Sequence, residues 1–268
     1  MPFDAASFWT VFQRRIGTQL PLRVLLSYYY FRRVDLNTFL PQVFGTLPVQ
    51  LFLDSGAFSA ATQQELLRVT DYIAWVKRYR HWFETISNLD VIGDWHTTAR
   101  HQALMEDAGI HVLPVFHTGE PWSQLETLLP RYAYIGLGGM VPYMKAWRTR
   151  LMPWLVRCFR LARGQSVFHG FGCTTADIMK ALPWQSVDSS TWSVGFLFGE
   201  VPLFAWNRGL LHRIRLGQRP SPFWQQMIRE LRFQMADFTD RLRNTRAVNG
   251  AMAVLSYRLF STWLGPIV

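Results

Sequence analysis

The stretch LFLDSGAFS (51–59) carries three apolar residues into Asp54 and then into a turn of small residues. A carboxylate at the end of a buried run can act as acid, base or nucleophile. The placement recurs along the chain. Asp90 and Asp94 surround the end of NLDVIGD (88–94), and His117 follows HVLPVF (111–116). Gly138 and Gly139 follow YAYIGL (132–137), His169 lies in SVFHGF (166–171), and Asp188 lies in QSVDS (185–189). Each Asp also has a structural alternative, since Asp before Ser or Gly makes Asx turns and helix caps. Asp54, Asp94 and Asp188 in equivalent places would repel and shift one another's pKa, a cost that a site has reason to bear. The two glycines read as a turn or as a close approach of substrate to backbone amides. Phe58, four residues after Asp54, reads as core or as a flat platform for a ring. His117 reads as a site residue or a satisfied core histidine. His169, inside an apolar strand end, reads as core, and His96 and His101 as helix surface.

These residues need elements that bring them together. Eight short apolar, β-branched or aromatic runs (23–30, 49–54, 88–94, 111–116, 132–137, 166–171, 185–189 and 201–206) have the continuous apolarity of parallel strands buried on both faces. Helical patterns at 62–80, 97–108, 121–129, 143–163 and 174–181 separate them, with Thr97 and Thr174 as expected caps. Eight strands alternating with helices predict an α/β fold, a (β/α)8 TIM barrel in preference to an open doubly wound sheet. In such a barrel, residues just past the carboxyl ends of strands converge on one mouth. There is no Gly-rich phosphate loop and no internal repeat. GQRPSP (217–222) breaks the pattern, so the expected organisation is a barrel over 1–216 and a basic helical extension over 217–268, led by an Arg-rich amphipathic helix at 223–244.

Composition narrows the partners. The 268 residues are 49% hydrophobic, ample for a sizeable core, and carry a formal net charge of +10. Residues 206–268 hold ten Arg against three acids, which suits either a polyanion or a solvated helix face. Arg229, Arg232, Arg241, Arg243 and Arg246 are the candidate phosphate contacts. Two cysteines, Cys158 and Cys173, are too few for a disulfide framework and lack zinc-site spacing, which fits a reducing cytoplasm. The N-terminal segment has Asp4 where a secretory signal is basic. The most apolar stretch, AMAVLSYRLFSTWLGPIV, is interrupted by Arg258 and reads as a packing helix with no membrane partner.

LDSGAFS (53–59), LDVIGDWHTT (89–98), LPVFHTGE (113–120), YIGLGGMV (134–141), HGFGCTT (169–175) and SVDSSTW (186–192) together resemble, in family order, the tRNA-guanine transglycosylase superfamily. The likeness is greater to its shorter relatives that place 7-deazaguanines in DNA in phages and bacteria. The resemblance implies that Asp188 is the nucleophile attacking the sugar anomeric carbon and that Asp54 is the general acid/base for the exchanging bases. It implies further that Phe58 stacks on the base, Asp94 and His117 hydrogen-bond its edge, and Gly138 with Gly139 offers a backbone contact to its carbonyl. The chemistry asks for such residues: a carboxylate traps an oxocarbenium-like sugar as a covalent glycosyl-enzyme, and a second one moves protons on the bases. The target nucleotide must be flipped out to reach them.

The family's zinc-binding Cys cluster is missing, Pro142-Tyr143 replaces the usual Gly-Glu, and His117 stands where the tRNA enzymes carry Gln. The expectation is therefore DNA rather than tRNA as substrate, a free base such as 7-cyano-7-deazaguanine, a host cytoplasm if phage-encoded, and no metal or redox cofactor. Rival readings are the same exchange on tRNA, a metal-dependent barrel hydrolase, and a non-catalytic nucleic-acid binder.

Overall fold

VQLFLD folds as strand β2 (Val49–Asp54), and its alternation sorts the side chains: Leu51 and Leu53 are buried on one face, while Phe52 and Asp54 lie on the other, partly open one. β2 pairs in parallel with β1 (Leu22–Ser27), Ser27 beside Asp54, and with β3 (Phe83–Ile86). A second parallel sheet holds β4 (Val115–His117), β5 (Tyr134–Gly138), β6 (Val167–Gly170) and β7 (Ser186–Val187) in chain order. A parallel bridge between Ser87 and Leu113 links the two sheets. This computed structural model describes residues 21–46, 48–190, 199–205, 207–215, 218–231, 233–236, 252–254 and 256.

The chain is mixed α/β. Helices α1 (Tyr28–Phe31), α2 (Leu36–Phe44), α3 (Ala57–Thr62), α4 (Val69–Tyr79), α5 (Trp95–Asp107), α6 (Trp122–Leu128), α7 (Met152–Ala162) and α8 (Ala176–Ala181) connect the strands. Strand order follows chain order without reversal, unlike the switch point of a doubly wound sheet. In a flat sheet β2 and β6 would stand about 19 Å apart, four strand spacings. The ring of Phe52 on β2 nevertheless lies 4.5 Å from that of His169 on β6, so this face of the sheets is concave. Among the described residues the hydrogen-bonded ladder does not join β7 to β1. On the convex side, Phe116, Ile135, Leu137, Leu155, Phe168 and Trp184 belong to one buried core cluster.

The structure corrects several expectations. The third strand is FETI and not 88–94, because exposed Glu84 interrupts the apolar signal of the true strand. The expected helix 62–80 is shorter: Thr62 ends α3, residues 63–68 are not helical, with Gln64 at φ +56°, and α4 begins only at Val69. The segment 143–163 opens with a 3₁₀ stretch, Val141–Ala146, and a π turn, Trp147–Leu151, before α7 begins. The run 201–206 does not extend the parallel order. Instead β8 (Glu200–Ala205) pairs antiparallel with β9 (Leu210–Arg215), since the few residues between them can make a hairpin and not a crossover.

The chain divides after Asp188. Pro21–Gln42 with Thr46–Asp188 makes one compact unit, and the described residues beyond Asp188, with Val43–Gly45, make the other. The expected boundary at 216/217 thus falls inside the second unit. There, helix α9 (Pro222–Glu230) is shorter than the expected Arg-rich helix 223–244, since Leu231 and residues 233–235 are not helical; it carries an exposed Arg229, and Arg232, Arg241, Arg243 and Arg246 lie outside the described residues. Among the described residues no helix is long and apolar enough to cross a membrane.

Candidate active site

Asp54 is the last residue of β2, and its Oδ2 accepts the Gly56 N–H at 3.0 Å, closing an Asx turn. Gly56 has φ +78°, and a Cβ there would lie 2.4 Å from both Ser27 Oγ and Tyr29 Cβ. Substituting Gly56→Ala is therefore expected to cost about 2–4 kcal/mol, the sum of left-handed strain and overpacking, read by urea unfolding. Ser55 fixes the turn from its other side. Its N–H donates to Ser87 Oγ at 3.0 Å, and its hydroxyl donates to Asp90 Oδ1 at 2.8 Å. Phe58, on the first turn of α3, is 51% exposed, which leaves its ring face available.

The loop after β3 is pinned to α5. Asn88 Nδ2 donates to Thr98 O at 2.9 Å, the Val91 N–H donates to Thr98 Oγ1 at 2.8 Å, and His101 Nδ1 donates to Leu89 O at 2.7 Å. His101 is therefore a buried anchor and not helix surface, whereas His96 is exposed and stacks on Trp95. Asp94 is the N-cap of α5, accepting from Thr97 N at 3.0 Å and Thr97 Oγ1 at 2.7 Å, and it is exposed. The residue this loop delivers inward is Asp90.

Asp90 Oδ2 meets His117 Nε2 at 2.8 Å, and His117 Nδ1 meets Glu120 Oε1 at 2.9 Å. Two carboxylates on two ring nitrogens require both nitrogens to be protonated. Burial opposes the charged ring, but the hydrogen bonds to Asp90 and Glu120 win and raise the His117 pKa to about 9. Burial likewise opposes ionised Asp90, and the His117 bond overcomes it and holds its pKa below the usual value. His117 therefore has no ring nitrogen left for a ligand. Gly138 makes room for it, since a Cβ there would lie 2.7 Å from His117 Cδ2. The next carbonyl, that of Gly139, accepts Thr118 Oγ1 at 2.7 Å, and the Gly139 N–H has no partner among the described residues.

Asp188 follows β7 directly. Its Oδ1 accepts the Gly172 N–H at 3.0 Å and lies 3.2 Å from His169 Nε2, while Oδ2 has no partner among the described residues. His169 Nδ1 continues to Ser186 Oγ, which in turn meets the Tyr134 hydroxyl at 2.6 Å. His169 is thus the orienting partner of Asp188, a role hidden by the apolar residues that flank it in sequence. Asp90 and Glu120 were equally hard to single out. Their only signals were proximity to a strand end and a three-residue spacing from His117.

Asp54 completes the group. Burial first, then the charges of Asp90 and Asp188, raise its pKa to about 8, outweighing the Gly56 N–H bond. At neutral pH one carboxyl is thus held protonated near Asp90, whose pKa is held low, so the pKa values of neighbouring carboxyls are pushed apart as acid–base sites require. Among the described residues no cluster of three or more His, Cys, Asp or Glu is arranged to hold a metal ion. Cys173 is buried and its thiol pKa is pushed up to about 12, mainly by burial, so it is not a nucleophile. No family model matches the chain, and no curated protein is significantly similar to it.

Proposed function

We propose that this protein is a guanine transglycosylase on a (β/α)8 barrel, which exchanges guanine in DNA for a 7-deazaguanine base. The observation that carries the reading is the pairing of Asp54, protonated at neutral pH, with Asp188, whose Oδ2 has no partner among the described residues. Asp188 attacks C1′ of the flipped nucleotide as the C1′–N9 bond breaks, and the electron pair leaves with guanine. The proton of Asp54 neutralises the departing base. In the second half, Asp54 as carboxylate takes a proton from the incoming base while that base's nitrogen attacks C1′ and releases Asp188.

The base-reading set is narrowed by what each residue already holds. His117 is committed to its two carboxylates, and both Asp90 oxygens are taken by Ser55 Oγ and His117 Nε2, so the acceptor for the base's N–H groups is Asp94, which is exposed beside its bonds to Thr97. Phe58 supplies the stacking face, and the Gly139 N–H the donor to the base carbonyl.

Lys145, Arg148 and Arg150 are exposed on the 3₁₀ and π turns between the end of β5 and the start of α7, on the same end of the sheet as the carboxylates. They are the phosphate contacts of this unit. Replacing all three by Ala is expected to lower DNA affinity and to reduce the log–log salt slope by roughly 2–3. The function itself is tested by incubating the protein with labelled 7-cyano-7-deazaguanine and either duplex DNA or tRNA. Label in DNA supports the proposal, label in tRNA alone moves the substrate, and label in neither rejects the reading.

A further inference from the structure

The apolar side chains exposed on the unit that holds the carboxylates gather at one end of it. Seven large ones are exposed among its described residues, and five of these, Tyr30, Phe58, Leu66, Ile92 and Val141, lie on the turns and short helices that follow the carboxyl ends of β1, β2, β3 and β5. They adjoin the carboxylates. Gly56, which closes the Asp54 turn, packs so tightly that a Cβ there would lie 2.4 Å from Tyr29 Cβ, so α1, with Tyr30, lies against the turn that leads into α3 and Phe58. An ion pair between Arg32 and Glu65 ties the loop of Leu66 to the end of α1. On the other flank, a Cβ at Gly172, whose N–H holds Asp188, would lie 3.1 Å from Val141 Cγ2.

Tyr30 is the more open of the two rings, 66% exposed, and its T-shaped contact with Tyr29, centroids 5.1 Å apart, occupies at most one of its faces. Three cations at the same end, Arg33, Lys145 and Arg150, are exposed and form no ion pair among the described residues, whereas Arg32 and Arg148 are paired with Glu65 and Asp177. Exposed rings beside free cations suit one kind of polyanion. A duplex shows a protein its phosphates and groove edges and keeps its base faces inside the stack, whereas a single strand shows phosphates and base faces together. Resting on the transglycosylase reading, in which Phe58 takes the target base, we infer that the DNA is bound as an unpaired strand and that Tyr30 stacks the base next to the target, with Arg33, Lys145 and Arg150 on the flanking phosphates. Duplex DNA then serves only where it opens.

Fluorescence anisotropy at one salt concentration tests it with the full chain and a labelled, guanine-containing oligonucleotide of about 12 nucleotides, used alone and annealed to its complement. The single strand is expected to bind at least about tenfold more tightly than the duplex. Tyr30→Ala should weaken the single strand by at least about fivefold, the loss of one stacked base, and leave duplex affinity within about twofold. Tyr30→Phe, which keeps the ring, should match the wild type, and Tyr30→Leu, which keeps only apolar bulk, should behave as the Ala variant. Equal or tighter duplex binding, or single-strand affinity unmoved by Tyr30→Ala, would overturn the inference. Incorporation of labelled 7-cyano-7-deazaguanine into the two DNA forms is read separately. Selective binding of the single strand without incorporation keeps the unpaired-strand surface and rejects the transglycosylase reading, whereas incorporation with no strand preference and no effect at Tyr30 rejects this inference alone.

Discussion

Asp188→Ala is expected to abolish base exchange, lowering kcat/KM by roughly 10⁴-fold or more, while DNA affinity changes by less than about threefold. The expectation follows from how the residue is held. Asp188 Oδ1 is tied to the Gly172 amide and His169, which orients the side chain, and Oδ2 has no partner among the described residues, which is the oxygen the proposed reaction would use. Asp188→Asn keeps the shape but removes the negative charge that traps an oxocarbenium-like carbon, and should be nearly as inactive. Wild-type protein incubated with DNA and no free base should accumulate a covalent adduct on Asp188, visible by mass spectrometry of the intact protein. Turnover retained in Asp188→Ala, or an adduct on another residue, would remove Asp188 from the role of nucleophile.

Asp54→Asn should produce an inactive protein that is more stable than the wild type. Asp54 holds a proton to about pH 8, whereas in the unfolded chain it releases that proton near pH 4. Between those limits the folded state binds the extra proton, so stability falls as pH rises, and it levels off above about 8. His117 works in the same direction from about 6.5 to about 9, because its ring is charged in the fold and neutral in the unfolded chain there. Asn at position 54 removes the first of these contributions. Urea unfolding should then find the variant more stable by about 2–4 kcal/mol at pH 8 and nearly unchanged at pH 4. In the active protein the same proton sets the pH profile, and leaving-base protonation should fail above about pH 8. A variant that is no more stable at pH 8 than at pH 4, relative to wild type, would show that Asp54 is not held protonated.

The sequence exposed the ends of strands more clearly than the strands themselves. VQLFLD was legible because its apolar run stops at a charged residue, and β2 has the expected bounds. The third strand was not, because Glu84 faces solvent in FETI while the more apolar NLDVIGD is a loop held by side-chain bonds to α5. Asp54 stood out because it follows an apolar run and precedes small residues, whereas Asp188 follows only Gln185-Ser186-Val187 and stood out by the Ser pair after it and its place in the succession of strands. Asp90 and Asp94 could not be told apart in sequence. Both are Asp near one strand end, and only the fold shows that the later one caps α5 while the earlier one turns toward His117. Glu120 carries no local signal of burial. It becomes part of the group through the three-residue return of the chain after β4. The run 201–206 misled because its apolar character matches a central strand, and its antiparallel pairing depends on a neighbour only a few residues on.

The Asp90–His117–Glu120 arrangement has an evolutionary consequence. One cation is shared by two nearly solvent-free anions, so none of the three positions can drift alone. A lineage that replaced the ring at 117 with an uncharged amide would strand a carboxylate on either side, and would survive only by neutralising 120 in the same step or soon after. Relatives of this chain should therefore fall into two inherited types, one with an acid at 120 beside histidine and one with neutral residues at both places. Mixed pairs should be rare.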